Sequence, residues 1–90
     1  MLPKAKQMDE YGEQFHLAQV NGGISFDSPE YVKLMQATSD YLMRFKPKTS
    51  LEIGPGVGVL LYQMNKAGCN SFGIDANTYS KEYYVNHCFN

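Results

Sequence analysis

Apolar side chains recur at steps of three and four in the second quarter of the chain, which predicts an amphipathic helix over residues 29–45. Just before it, Ser28 is a typical helix cap and Pro29 a typical first helical residue. A Lys-Pro-Lys sequence at residues 46–48 ends the pattern. The face that we expect this helix to bury consists of Tyr31, Leu34, Met35, Thr38, Tyr41, Leu42 and Phe45.

Two short apolar runs, residues 49–53 and 71–75, predict strands, and the segment between them predicts a helix over residues 58–67. Gly68 is the expected end of that helix. Because strands joined through a helix are usually parallel neighbours, the three elements predict one strand–helix–strand unit. A further helix is expected from Asn77 to about residue 87. The predicted apolar face of the middle helix consists of Leu60, Leu61, Met64 and Ala67.

The N-terminal region shows a weaker pattern. Residues 8–20 carry enough apolar positions for a short helix, and the Asn21-Gly22-Gly23 sequence predicts a turn after it. We therefore expect an N-terminal segment over residues 1–28 and an α/β domain over residues 29–90. The expected order is helix, helix, strand, helix, strand, helix.

The composition is ordinary for a globular protein, with 43% hydrophobic residues, 19% charged residues and a formal net charge of −1. This near-neutral charge gives no electrostatic reason to expect a nucleic-acid partner. No apolar run approaches the length of a membrane span, and the N-terminus lacks the apolar region of a signal peptide. These features predict a cytoplasmic protein with no membrane partner.

The cysteines and histidines are isolated from one another in the sequence. Cys69 and Cys88 do not form a Cys-x-x-Cys motif, which favours two buried unpaired thiols over a disulfide. His16 and His87 have no metal-ligand spacing to each other or to the cysteines. No metal site is therefore predicted.

A glycine-rich turn carries the candidate chemistry. Glu52 near the end of the first strand is followed by Gly54, Gly56 and Gly58, and Asp75 at the end of the second strand lies 21 residues beyond Gly54. Glycines allow the backbone to turn sharply and approach a ligand without a Cβ in the way. The following helix directs its free N–H groups into the same space. This spacing predicts a nucleoside-sized site where both strands end.

From about residue 46 to residue 77, this pattern resembles the cofactor site of class I S-adenosylmethionine-dependent methyltransferases. The resemblance implies a Rossmann-like parallel-sheet fold, here incomplete because it holds only N-terminal helices and a first strand–helix–strand unit. It also implies S-adenosyl-L-methionine as the cofactor. The chain would then supply the cofactor-binding half of an enzyme that transfers a methyl group.

The resemblance assigns expected roles to individual residues. Glu52 would favour the cofactor's ammonium and sulfonium charges, and Asp75 would accept hydrogen bonds from the ribose hydroxyls. Ala76 and Asn77 would lie along the adenine edge, although Asn77 could instead cap the next helix. The complete expected cofactor-binding set is Glu52, Gly54, Pro55, Gly56, Gly58, Asp75, Ala76 and Asn77.

Two alternatives remain open from the residues. A dinucleotide-binding oxidoreductase fragment using NAD(P) or FAD would carry Gly-x-Gly-x-x-Gly, but this chain has Val59 where the third glycine would fall. Within the methyltransferase pattern, Pro55 is a departure, because a small residue or cysteine is commoner at that position. The second alternative is a truncated module that binds the cofactor without catalysis.

The resemblance has consequences beyond the cofactor. The N-terminal segment would act as a cap or lid, in which Tyr11, Phe15 and His16 either cover the sulfonium by cation–π contact or simply pack. The near-neutral charge favours a small-molecule acceptor over nucleic acid, and no catalytic residue can be named. Because one flank of residues 51–53 has no partner strand, we expect the 90 residues alone to be inactive and to self-associate through that open sheet edge.

Overall fold

The computed structural model describes residues 4–88, with side chains from residue 11 onward except at residue 87. Two predictions therefore concern side chains outside the described ones. These are that Met8 belongs to the apolar positions of the first helix and that His87 is not a metal ligand. The described chain is a small α/β domain with four helices around a two-stranded parallel sheet. Its elements are α1 (Lys4–Asn21), α2 (Pro29–Met43), β1 (Thr49–Ile53), α3 (Val59–Lys66), β2 (Asn70–Ile74) and α4 (Thr78–Cys88).

The parallel pairing of the two strands is confirmed. β1 has the predicted bounds, whereas β2 begins and ends one residue earlier than predicted, so that Asp75 lies just beyond the strand. In the register, Leu51 lies opposite Phe72 and Ile53 opposite Ile74. Since side chains alternate along a strand, these four lie on one face of the sheet, and the residues between them lie on the other.

α3 lies between the sheet and α2. It therefore buries residues on the side that faces the sheet and on the side that faces α2. Leu61 packs against the strand position of Gly73, while Gln63 donates a hydrogen bond to the carbonyl of Val32 in α2 at 3.1 Å. The predicted face is therefore partly wrong, because Ala67 is exposed whereas Val59 is almost fully buried. The buried apolar core of the described residues is Val57, Val59, Leu61, Met64 and Cys69.

The apolar face predicted for α2 is only partly buried, because three of its seven residues are exposed, which corrects the expectation that the helix buries this face. Exposed fractions are 59% for Leu34, 56% for Tyr41 and 70% for Phe45. α2 instead packs on α3 through Ser39, which is fully buried and donates a hydrogen bond to the sulfur of Met64 at 3.4 Å. The small serine allows close approach of the two helices. The start of α2 is as predicted, because the Ser28 hydroxyl accepts a hydrogen bond from the Tyr31 N–H.

α1 is longer than predicted and packs against α4. The buried ring of His16 lies 3.2 Å from the Ser80 hydroxyl, and its edge faces the ring of Tyr83. A second connection runs from the Asn77 side-chain amide, which donates to the carbonyl of Gly12 at 2.8 Å. These contacts hold the N-terminal helix beside the ends of the strands.

The two thiols are free, as predicted, although only one of them is fully buried. Cys69 is 1% exposed, whereas Cys88 in the last turn of α4 is partly exposed. Burial raises the pKa of the Cys88 thiol above its usual value.

Candidate functional site

The loop between β1 and α3 leaves open space where the sequence predicts a ligand. Gly54 and Gly56 both have positive φ, +69° and +61°, which other residues rarely adopt. A Cβ at Gly54 would meet no atom of the described residues within 4 Å. At Gly56 it would meet only the side-chain amide of Gln19, at 3.7 Å. The backbone of both residues is therefore accessible to a small molecule.

Gly58 differs from these two glycines because a helix packs against it, although it also lines part of a groove beside β2. It precedes the first turn of α3 with a φ of +85°, and it is buried. A Cβ at this position would overlap the ring of Tyr84 from α4. The third glycine thus lets α4 approach the start of α3, whereas the first two border open space.

Asp75 connects the loop to the end of β2. One carboxylate oxygen accepts a hydrogen bond from the Gly56 N–H at 3.1 Å, and the other accepts one from the Asn77 N–H at 2.9 Å. Each carboxylate oxygen has a second lone pair. Asp75 can therefore fix the loop and still accept hydrogen bonds from a ligand.

Glu52 is a half-buried carboxylate on the helix-facing side of the sheet. Burial raises its pKa above the usual value of 4.5. Its charge, secondary to burial, contributes to the raised pKa of the Tyr31 phenol in α2. Among the described residues, Glu52 has no hydrogen-bond or ion-pair partner that would compensate its charge. A cationic ligand group would supply that compensation.

Of the remaining predicted residues, Asn77 and Pro55 have structural roles in the fold. The side-chain carbonyl oxygen of Asn77 accepts a hydrogen bond from the Tyr79 N–H at 3.1 Å and so caps α4. Helix capping is the simpler of the two roles predicted for Asn77. Its amide also holds Gly12, so the whole side chain is engaged in the fold. Pro55 packs its ring over Gly73, and Ala76 is exposed at the end of β2.

Sequence reasoning missed Gln19, which α1 brings to the glycine loop. Its side-chain carbonyl oxygen is buried and has no hydrogen-bond partner within the described chain. The only signal in the sequence is its position one helical turn after His16, because that spacing places both on the same side of α1. Tyr11 and Phe15 are largely exposed and stack on each other with ring centroids 6.0 Å apart.

A groove of about 830 Å³ runs from the loop along the outer side of β2. Gly56 and Asp75 lie at its loop end, while Lys66 and Cys88 lie farther along. Its volume is within the range of small-molecule sites. Space for a nucleoside-sized ligand is therefore present beside Asp75 and part of the glycine turn. Of the predicted residues, Pro55, Gly56, Gly58 and Asp75 line this groove, whereas Glu52, Gly54, Ala76 and Asn77 do not.

Comparison of the chain with models of protein families, with curated proteins and with solved structures found no match. Of the helices within residues 4–88, none has both the length and the apolar character required to cross a membrane.

Proposed function

We propose that this chain binds S-adenosyl-L-methionine and supplies the cofactor-binding half of a methyltransferase with a Rossmann-like fold. The observation that carries the proposal is one local arrangement at the ends of β1 and β2. The carboxylate of Glu52, which no described residue compensates, precedes an open glycine turn that is held by a second carboxylate, Asp75. Carboxylates on both sides of a glycine turn suit a ligand with a positive charge and ribose hydroxyls.

The same arrangement favours this cofactor over a dinucleotide. A half-buried carboxylate near the glycine turn would repel the pyrophosphate of NAD(P) or FAD. The position where a dinucleotide fingerprint needs its third glycine holds Val59, which is 1% exposed in the core. The residues present therefore fit a sulfonium cofactor better than a dinucleotide.

Each residue of the proposed site has a defined role. Glu52 would offset the ligand's positive charge, Asp75 would accept from the ribose hydroxyls, and the open backbone at Gly54 would allow close approach. The cofactor itself supplies a methyl group on a good leaving group, so the protein mainly orients the acceptor and excludes water. A small-molecule acceptor and a cytoplasmic location stay predictions, and no residue is assigned as a base.

Gln19 extends the proposed site to α1. Its buried carbonyl oxygen lies beside Gly56 and has no donor among the described residues, so a ligand N–H or O–H at the loop would satisfy it. This contact would also give the N-terminal segment the role of a cap over the cofactor.

Equilibrium dialysis of S-adenosylhomocysteine and of NAD against the chain tests the proposal. We expect binding of the first and none of the second; tighter binding of NAD would contradict the proposal. Gln19→Leu should weaken binding of S-adenosylhomocysteine about 3- to 10-fold, the usual value of one hydrogen bond. Gln14→Leu, on an exposed position of the same helix, is the matched control and should leave the affinity unchanged.

A further inference from the structure

A second cavity, of about 410 Å³, lies between α2 and α3. Its volume is within the range of small-molecule sites. Val32 of α2 and Val59 of α3 line it, together with Phe26 from the turn that precedes α2. The Phe26 ring meets the ring of Tyr62 edge-on, with the two centroids 5.7 Å apart. The walls of this helix cleft are therefore apolar and partly aromatic.

The helix cleft differs from the groove beside β2. Tyr62 and Lys66 of α3 border both cavities, but Phe26, Val32 and Val59 border the helix cleft alone. None of the residues predicted to bind the cofactor lines it. Recognition in the helix cleft can therefore depend on residues that the proposed cofactor does not use.

Gln63 brings an unpaired hydrogen-bond acceptor to the helix cleft, which it also lines. The residue is 7% exposed, and its Nε2 donates to the Val32 carbonyl at 3.1 Å. Its Oε1 is buried and has no hydrogen-bond partner among the described residues. Buried polar groups are normally paired, because an unpaired one has lost its water without replacement. A ligand in the helix cleft that offers an N–H or O–H would complete the bonding of this amide.

The other polar groups at the helix cleft restrict the charge of such a ligand. Gln36 already donates its Nε2 to the Asp40 carboxylate at 2.9 Å. The Lys66 ammonium lies 5.3 Å from the centroid of the Tyr62 ring. Because like charges repel, this ammonium disfavours a cationic ligand. A neutral donor, a hydroxyl or an N–H, suits the Gln63 oxygen better than an ammonium group.

We propose that the helix cleft, defined by Phe26, Val32, Val59 and Gln63, binds a small neutral aromatic molecule of the phenol or indole class. The aromatic body makes edge and stacking contacts with the Phe26 and Tyr62 rings. Its single hydroxyl or N–H donates to the Gln63 Oε1. The proposal does not rest on the proposed cofactor, so either can fail without the other.

Titrations with phenol and with fluorobenzene, followed by ¹H–¹⁵N correlation NMR, test the proposal. The two probes have nearly the same size and shape, but only phenol has a donor. We expect phenol to shift the backbone signals of Val32 and Gln63 and the side-chain amide signal of Gln63. Its dissociation constant should be about 3- to 10-fold lower than that of fluorobenzene, the usual value of one hydrogen bond.

Two pairs of variants locate the binding. Gln63→Met removes the acceptor and should abolish the preference for phenol, whereas Gln36→Met, at an exposed position of the same cleft, should retain it. If Gln63→Met fails to fold, Ala67→Trp gives a second test, because this exposed residue lines the cleft and a large side chain would fill part of it. Ala67→Trp should weaken binding of both probes. Ala37→Trp, at an exposed position of α2 outside the cleft, is its control.

Three results would overturn the proposal. The first is the absence of phenol-induced shifts at Val32 and Gln63, or shifts confined to the groove beside β2. The second is an equal affinity of the wild type for phenol and fluorobenzene. The third is a preference for phenol that persists in Gln63→Met, or binding that Ala67→Trp and Ala37→Trp leave equally strong.

Discussion

At the scale of single residues, Asp75 holds the glycine turn and is the proposed acceptor for the ribose hydroxyls. Asp75→Ala would remove the proposed ribose acceptor and leave the Gly56 N–H without its partner. We expect S-adenosylhomocysteine binding to weaken by about 1.5–3 kcal/mol, the usual value of a hydrogen bond to a charged group. Isothermal titration calorimetry gives the measurement, and Asp75→Asn, which keeps one acceptor oxygen, should lose less. Equal affinity for wild type and Asp75→Ala would show that the ribose assignment is wrong.

Glu52 is expected to favour ligand binding while it opposes folding. Because burial raises its pKa above 4.5, the folded state binds this proton more tightly than the unfolded state. The stabilisation that comes from protonated Glu52 is therefore fully present below pH 4.5 and is lost as the pH rises through the raised pKa. We expect Glu52→Gln to raise the melting temperature at pH 7 and to weaken S-adenosylhomocysteine binding.

The control for Glu52 is Glu30→Gln, since Glu30 is exposed in the first turn of α2. Thermal unfolding between pH 4 and pH 8, roughly the range in which a perturbed carboxyl titrates, should be less pH-dependent for Glu52→Gln than for Glu30→Gln. If Glu52→Gln destabilised the chain at pH 7, the carboxylate would have a stabilising partner within the folded chain.

At the scale of elements, the approach of α4 to α3 depends on Gly58. Gly58→Ala would combine a strained positive φ with overlap of the Tyr84 ring. Gly68→Ala, after the end of α3, is strained at a φ of +100° but has no atom within 4 Å. We expect the second variant to cost about 1–2 kcal/mol of unfolding free energy and the first clearly more. Urea unfolding measures both, and equal losses would mean that Tyr84 moves away at no cost.

Element positions were largely predictable, because they depend on local signals. Capping by Ser28, the glycines around α3 and the short apolar runs place the elements within one or two residues, except at the weakly patterned α1. Which faces are buried was less predictable. The period of α2 shows that Leu34, Tyr41 and Phe45 share a side, but periodicity does not reveal whether a partner covers that side.

Part of the candidate site was likewise predictable from the sequence, and part was not. The spacing from Gly54 to Asp75 follows from one strand–helix–strand unit, so the sequence alone brings these two residues to the same edge of the sheet. Gln19 and Tyr84 reach the loop through packing between elements that are distant in sequence. No local pattern encodes such contacts, and they required the structure.

At the scale of the whole molecule, the core is small for the length of the chain. The described residues include five buried apolar side chains, and several other buried positions are serines. Burial of so little apolar surface barely offsets the conformational entropy of 90 residues. The sequence predicts self-association through the edge of β1 that faces away from β2, and a second copy bound there would stabilise only the folded state, so the melting temperature should rise with protein concentration. Calorimetric scans of the wild type at several concentrations measure this, and a concentration-independent melting temperature would contradict it.

The last prediction concerns catalysis by these 90 residues alone. The proposed site accounts for a cofactor, but no described residue is assigned to an acceptor or to a base. Since methyl transfer requires an aligned acceptor in a water-excluded space, we expect weak S-adenosylhomocysteine binding and no transfer from isotopically labelled S-adenosylmethionine to a panel of small acceptors. Labelled product from a monomeric, cooperatively unfolding sample would contradict this. In that case the groove beside Asp75, lined in part by Lys66 and Tyr84, would have to hold the acceptor as well.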